Sequence, residues 1–160
     1  MELKMAHIYC DGACLGNPGT GGWAVIIVRD DGTEEVQTGS EPNTTNNIME
    51  LTGALVGLNH TSGPATIVSD AKYLVHGASL WVPKWRVNGW RTKQKHAVKN
   101  YDLWLALDEH IKARPLVWQW VKGHSGHRYN ERADALANAA ADAEQCKNRP
   151  FWARPRLVRK

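Results

Sequence analysis

From His7 to Trp23 the chain reads HIYCDGACLGNPGTGGW. A short apolar run of β-forming residues, AHIYC, ends at a carboxylate, Asp11, and Gly12, Gly16, Gly19, Gly21 and Gly22 follow before Trp23. Three readings compete: a phosphate cradle, a plain turn, or one wall of a metal site. A P-loop needs GxxxxGK[ST], and no such lysine and hydroxyl pair follows. A dinucleotide fingerprint opens a helix, whereas the next residues, WAVIIV, are strand-like. The glycines suit a tight turn at Asn17-Pro18-Gly19 and a bare backbone that a ligand can approach closely. A turn does not require Asp11.

The neighbouring segments supply its context. GGWAVIIVRDDGTEEVQTG is a hairpin about Asp31-Gly32, so the first three strands form an antiparallel meander. TTNNIMELTGALVGLNH switches to helical period, with Ile48, Leu51, Leu55 and Leu58 as a core-facing stripe and Gly53, Ala54 and Gly57 as small residues beside Glu50. ATIVSD is a fourth strand ending at Asp70, and AKYLVHGASLWV reads as one or two short helices. NYDLWLALDEHIKA is a helix with Asn100 as N-cap and Leu103, Leu107 and Ile111 at helical spacing. PLVWQWVKG is a strand, and NERADALANAAADAE is a final helix capped by Asn130. The fold expected is α/β: a five-stranded mixed sheet, the meander plus two parallel strands, flanked by helices. The crossover through the first helix sets the fourth strand parallel to the first. Asp11 and Asp70 then end adjacent parallel strands, where such sheets open a ligand crevice.

Glu50 lies in the first half of its helix, and Asp134 about one turn inside the last one, where the helix dipole favours negative charge. Each acid alone reads as a cap or a solvated side chain; the four together read as a site. Packed carboxylates repel one another and need a cation. With no Cys or His ligand the site is all oxygen, which selects Mg²⁺ or Mn²⁺ over zinc. Two such ions can activate water and stabilise the leaving oxygen of a phosphodiester.

Charge points the same way. The chain has 160 residues, 20 Lys and Arg, and 16 Asp and Glu. Lys84–Lys99 and Lys147–Lys160 each carry six bases and no acid, so the remaining eight bases face all 16 acids. An acidic body with two basic appendages suits a polyanionic partner held beside an acidic centre. No apolar run of about 18 residues suggests a membrane span. The start, MELKMAHIYC, lacks the regions of a signal peptide. Cys10, Cys14 and Cys146 fit no zinc or CxxC spacing, and a reducing, cytoplasmic setting is expected. One domain over residues 1–145 and a basic, proline-containing tail over 146–160 are expected.

YCDGACLGNPGTGGW, TTNNIMEL, SDAKYL, WVPKWRVNGWRT, VKNYDLW and WVKGHSGHRYNERADALA occur in this order. Together they resemble type I ribonuclease H, the compact form with a basic handle, from about Met5 to Asp142. The resemblance implies a ribonuclease H-like fold and an endonuclease that hydrolyses the RNA strand of RNA–DNA hybrids with two Mg²⁺ ions, leaving 5′-phosphate and 3′-hydroxyl ends. Asp11, Glu50, Asp70 and Asp134 match its catalytic, metal-holding carboxylates, and His124 matches a histidine that helps proton movement or product release. Backbone near Gly12 and Cys14 is placed to meet the 2′-hydroxyl that marks RNA. Cys14, Asn17, Asn46 and Asn47 match contacts near sugar and base edges, and Thr45 and Asn100 match residues that hold a DNA phosphate. In the handle, Trp81, Trp85 and Trp90 form a local core and stack on deoxyribose, while Lys93, Lys95, Lys99 and their neighbours neutralise phosphate. Ile48 stands where several relatives carry arginine. Ala71 and Lys72 replace a Ser-Gln pair, so Lys72 either contacts phosphate or offsets the carboxylates. No obligate protein partner is implied, and a monomer is expected.

Two other readings compete with this one. A resolvase, transposase core or proofreading exonuclease shares carboxylates at strand ends but lacks this glycine turn, the handle and KGHSGH. A non-catalytic hybrid-binding module needs the handle and the asparagines but not all four acids.

Overall fold

A computed structural model describes residues 5–147. Its sheet has five strands in the order β3-β2-β1-β4-β5. These are β1 (Ala6–Leu15), β2 (Gly19–Arg29), β3 (Glu34–Thr44), β4 (Ala65–Ser69) and β5 (Leu116–Trp120). The meander pairs antiparallel, β4 lies parallel to β1, and β5 lies parallel to β4. All five residues of β4, ATIVS, are buried, as expected of a central strand covered on both faces.

Strand β1 does not stop at Asp11. It continues to Leu15, because Asp11, Gly12, Ala13 and Cys14 pair with Ala24, Trp23, Gly22 and Gly21. Its parallel pairing with β4 covers only Ala6 to Tyr9. Asp11 therefore stands two residues past the end of the parallel ladder, although the strand is longer than expected. The glycines are strand residues up to the turn, and Gly16 takes a left-handed φ of 82° there.

Helix α1 (Asn46–Asn59) lies on the face of β1 that presents Ile8 and Cys10. Thr45 caps it, its hydroxyl accepting from the Ile48 N–H at 3.2 Å. Leu51 and Leu58 are buried as expected, whereas Ile48 and Leu55 are half-buried and Met49, Gly53, Ala54 and Gly57 take the deeper places. The small residues bring the helix close to the strands. A Cβ on Gly12 would lie 2.5 Å from the Glu50 backbone nitrogen, so only glycine lets α1 carry Glu50 up to β1.

After β4 the chain forms α2 (Lys72–His76), a π-helical turn (Gly77–Trp81) and α3 (Val82–Asn88) as one nearly continuous rod, ended by Gly89 at φ 77°. The segment after it doubles back in an Arg91–Ala97 bridge. Helix α4 (Tyr101–Ala113) buries Trp104 completely, along with Leu107 and Asp108. Asn100 precedes α4 but does not cap it through its side chain; it sits at φ 60° and donates instead to the Tyr73 hydroxyl at 3.1 Å.

Helix α5 (Arg128–Lys147) covers the other face of the sheet. It begins three residues earlier than expected. His127, not Asn130, caps it, with Nδ1 accepting from the Asn130 N–H at 3.3 Å. Glu131 reaches back to accept from the Gly126 N–H at 3.0 Å. Asn130 is a buried residue inside the helix. Asp134 consequently lies nearly two turns in rather than one. Helix α5 takes in Cys146 and Lys147, and the rest of the expected tail lies outside the described residues.

Candidate active site

Three of the four acids meet. Asp11, Glu50 and Asp70 each offer a carboxylate oxygen, and these atoms all lie within 4.8 Å of one another. They come from β1, from α1 and from the residue after β4. Asp11 and Glu50 are only 3% and 8% exposed, while Asp70 is half-buried. Asp134 is half-buried on α5; its carboxylate is outside this triad but beside Asp11, and its Oδ1 accepts from Asn138 Nδ2 at 3.3 Å.

Electrostatics make this arrangement unfavourable for the protein alone. Burial, then the Asp70 charge, push the Asp11 pKa up to about 8, with a smaller push from Asp134 and a counterweight from the Gly12 N–H, which donates to Asp11 Oδ1 at 2.8 Å. Burial, then the charges of Asp11 and Asp70, raise Glu50 well above the usual carboxylate range. Asp11 Oδ2 and Glu50 Oε2 are buried with no hydrogen-bond partner. Two orphaned oxygens aimed into an all-oxygen cluster suit a hard divalent cation, whose charge would repay their desolvation.

His124 is exposed, at φ 55°, in the loop between β5 and α5. The loop backbone lies against the cluster: a Cβ on Gly123 would be 2.8 Å from Asp70 Oδ2. His124 thus stands one residue from an acid of the triad.

The residues matched to sugar and base contacts gather at one end of the sheet. Asn17 Oδ1 accepts from the Asn46 N–H at 3.1 Å and ties the β1–β2 turn to the start of α1. The Cys14 thiol donates to the Thr44 carbonyl at 3.4 Å. Asn46 and Asn47 form the first turn of α1, next to the acid-bearing Glu50. The Thr45 hydroxyl oxygen accepts in the cap, and its O–H can still donate. Asn100 lines a cavity of about 490 Å³ with Ile48, Tyr101, Asp102 and Leu103, so Ile48 makes that pocket more apolar.

The handle splits by residue type. Trp81, Trp85 and Trp90 are half-buried in a ring cluster with Tyr73, Tyr101 and Trp104, at centroid distances of 5.4–6.0 Å. Lys93 and Lys95 line a cavity of about 590 Å³ with Asn88, Arg91 and Thr92, and Lys99 is exposed before α4. Arg86 is not a free handle cation: it pairs with the buried carboxylate of Asp108 and fastens α3 to α4. Lys72 lies over the Trp120 ring at 5.0 Å, and Trp120 donates to the Asp70 carbonyl at 2.9 Å, which places this cation near the strand end.

Sequence reading missed Tyr73. Its hydroxyl accepts from both Asn100 and Trp104 and so sets the Asn100 side chain. Nothing in its spacing separates it from an ordinary core aromatic.

The chain is similar to known proteins over most of its length. The RNase H family profile matches residues 4–142. The chain is 49% identical over 142 residues to a ribonuclease H from Alcanivorax borkumensis, covering 88% of this chain and 93% of that protein. It is 49% identical over 138 residues to ribonuclease HI from Pseudomonas syringae pv. tomato, covering 85% and 91%. Among solved structures it is similar to LC9-RNase H1, a type 1 RNase H with the type 2 active-site motif. That match has a TM-score of 0.79 and 31% identity over 90% of this chain and 75% of that one.

Proposed function

The chain belongs to the ribonuclease H family, and from that premise we propose that Asp11, Glu50, Asp70 and Asp134 hold two Mg²⁺ ions that serve hydrolysis of the RNA strand in RNA–DNA hybrids. One observation carries the reading: the meeting of Asp11, Glu50 and Asp70 within 4.8 Å, with two of their oxygens buried and unpartnered. Such a cluster is unfavourable as a mere structural device and favourable as a cation trap. Mn²⁺ can substitute, since the donors are all carboxylate oxygens.

When bound, the ions supply Lewis-acid stabilisation of the attacked phosphate and of the leaving 3′-oxygen. Asp11 and Glu50 would hold them with buried carboxylates, and the half-buried Asp70 would share in holding them. Asp134 closes the site from α5. His124 moves a proton at the edge of the site, taking it from the attacking water's side or assisting product departure. Water attacks phosphorus, the bond to the ribose 3′-oxygen breaks, and that oxygen gains a proton. The products carry 5′-phosphate and 3′-hydroxyl ends.

Cys14, Asn17, Asn46 and Asn47, with the backbone at Gly12, read the 2′-hydroxyls and base edges beside the cut. Thr45 and Asn100 hold a DNA phosphate in a pocket weakened by Ile48. The handle cations Lys93, Lys95 and Lys99 neutralise further phosphates while Trp81, Trp85 and Trp90 support a deoxyribose face, and Lys72 meets a phosphate near Asp70. The hybrid is the enzyme's partner, and the enzyme is read as a monomer. Residues 1–145 carry the activity. Its free Cys10, Cys14 and Cys146 suit the cytoplasm.

The test incubates labelled RNA–DNA, RNA–RNA and DNA–DNA duplexes with the protein, in Mg²⁺ and in chelator. Cleavage of RNA in the hybrid alone, dependent on Mg²⁺ and abolished in Asp70→Asn, is expected. Hybrid binding without cleavage would instead make this a binding module.

A further inference from the structure

Asp134 comes from the far face of the sheet, and something must set the helix that carries it. Along their length α5 and β1 meet in matched steps. Tyr129 stacks on Tyr9, with ring centroids 4.6 Å apart and planes 24° off parallel. Asp134 faces Asp11. Farther on, Ala137 and Ala141 meet Gly22, which pairs with Ala13. Tyr9 and Asp11 are two residues apart and share one face of the strand, about 6.8 Å along it. Tyr129 and Asp134 are five residues apart, about 7.5 Å along the helix. The two rises agree, and five residues turn the helix by about 140°, so the ring and the carboxylate leave α5 in different directions and seating the tyrosine pair fixes the rotation of the helix as well as its height.

The alanine seam does not accomplish this alone. A Cβ on Gly22 would lie 2.3 Å from the Ala137 carbonyl oxygen, so the seam fixes how closely the helix approaches. Methyl groups form shallow ridges, however, and resist sliding or rotation weakly. The amino end has the directional contacts. The Tyr129 hydroxyl donates to Glu34 at 2.8 Å, Arg132 pairs with the same carboxylate at 2.9 Å, and the capping His127 ring lies 5.7 Å from Tyr9. Rings and ion pair together tie α5 to β1 and to the start of β3.

We propose that Tyr129 is a positioning residue: its stack on Tyr9, braced by Glu34 and Arg132, sets the register of α5 on β1 that holds Asp134 opposite Asp11. The proposal rests on the metal-dependent reading above and adds a residue that touches neither ion nor substrate.

The test measures Mn²⁺ binding by the free protein, from the loss of the free-ion electron paramagnetic resonance signal, and kcat and KM for hybrid across Mg²⁺ concentrations. Tyr129→Ala is expected to weaken Mn²⁺ binding about fivefold and to raise the Mg²⁺ needed for half-maximal kcat by a similar factor. Its KM for hybrid at saturating Mg²⁺ stays within about twofold of wild type. Tyr129→Phe, which keeps the stack, recovers most of both losses. Should Tyr129→Ala fail to melt cooperatively, Tyr129→Leu, which fills the space without a ring, takes its place with the same expectation. Unchanged metal dependence in the ringless variant, or equal losses in it and Tyr129→Phe, overturns the proposal. A wild type that neither binds Mn²⁺ nor cleaves hybrid overturns the functional reading instead.

Discussion

Asp11 is where folding and function pull in opposite directions. Its carboxyl keeps a proton in the native protein up to about pH 8 but loses it near pH 4 when unfolded. A group raised in this way stabilises the fold fully below about pH 4, and that contribution is lost as pH climbs toward 8. Metal-free protein should therefore lose stability across that window. Asp11→Asn cannot ionise, so in chelator at pH 8 it should melt above wild type by roughly 4–8 °C, on the order of 2 kcal/mol. Millimolar Mg²⁺ should narrow or reverse the order, because only wild type gains fully from the ion. A wild type that melts higher in chelator contradicts this assignment. His124 has a different role. It is exposed and one residue from the backbone that touches Asp70. His124→Ala should slow turnover about 10²-fold and leave Mg²⁺ affinity nearly unchanged. A loss as complete as that of Asp70→Asn would show that its role is not proton movement.

At the scale of elements, the handle separates packing from electrostatics. Its tryptophans join the Tyr73–Trp104 cluster, and Arg86 is consumed by Asp108. On the reading proposed above, the phosphate contacts then fall to the lysines of the Arg91–Ala97 turn and to Lys99. Lys93→Ala combined with Lys95→Ala should weaken hybrid binding and flatten the slope of log affinity against log salt by about 1.5–2, with kcat at saturating hybrid little changed. An unchanged slope would remove these lysines from the interface. This level also marks how far the sequence could be read. Turn pairs and apolar periodicity are local signals, and they gave the strands and helices. The length of β1 depends on pairing with a glycine-rich partner strand, which no local pattern contains. Asn130 has the chemistry of an N-cap, but His127 took that place, because ring contacts to Tyr9 hold it there. Arg86 looked like any handle cation until α4 brought Asp108 beneath it.

For the whole molecule, the sheet order β3-β2-β1-β4-β5 does one thing for the site: it sets Asp11, on β1, beside Asp70, the residue after β4, with α1 delivering Glu50 from one face, while α5 on the other face brings Asp134 beside Asp11 without joining that cluster. The four acids were legible because each sits at a recognisable place in a family pattern. Their mutual distances were not, since they depend on the Gly12 contact with α1 and on the register of α5. The most direct test is diffraction from crystals of the protein with RNA–DNA hybrid and Mn²⁺, recorded above the manganese absorption edge with Asp70→Asn used to prevent cleavage. Two anomalous peaks between Asp11, Glu50 and Asp134, beside a phosphate of the RNA strand, are the result expected. Manganese bound only elsewhere on the molecule, or a hybrid seated with its RNA strand away from these carboxylates, would contradict the account.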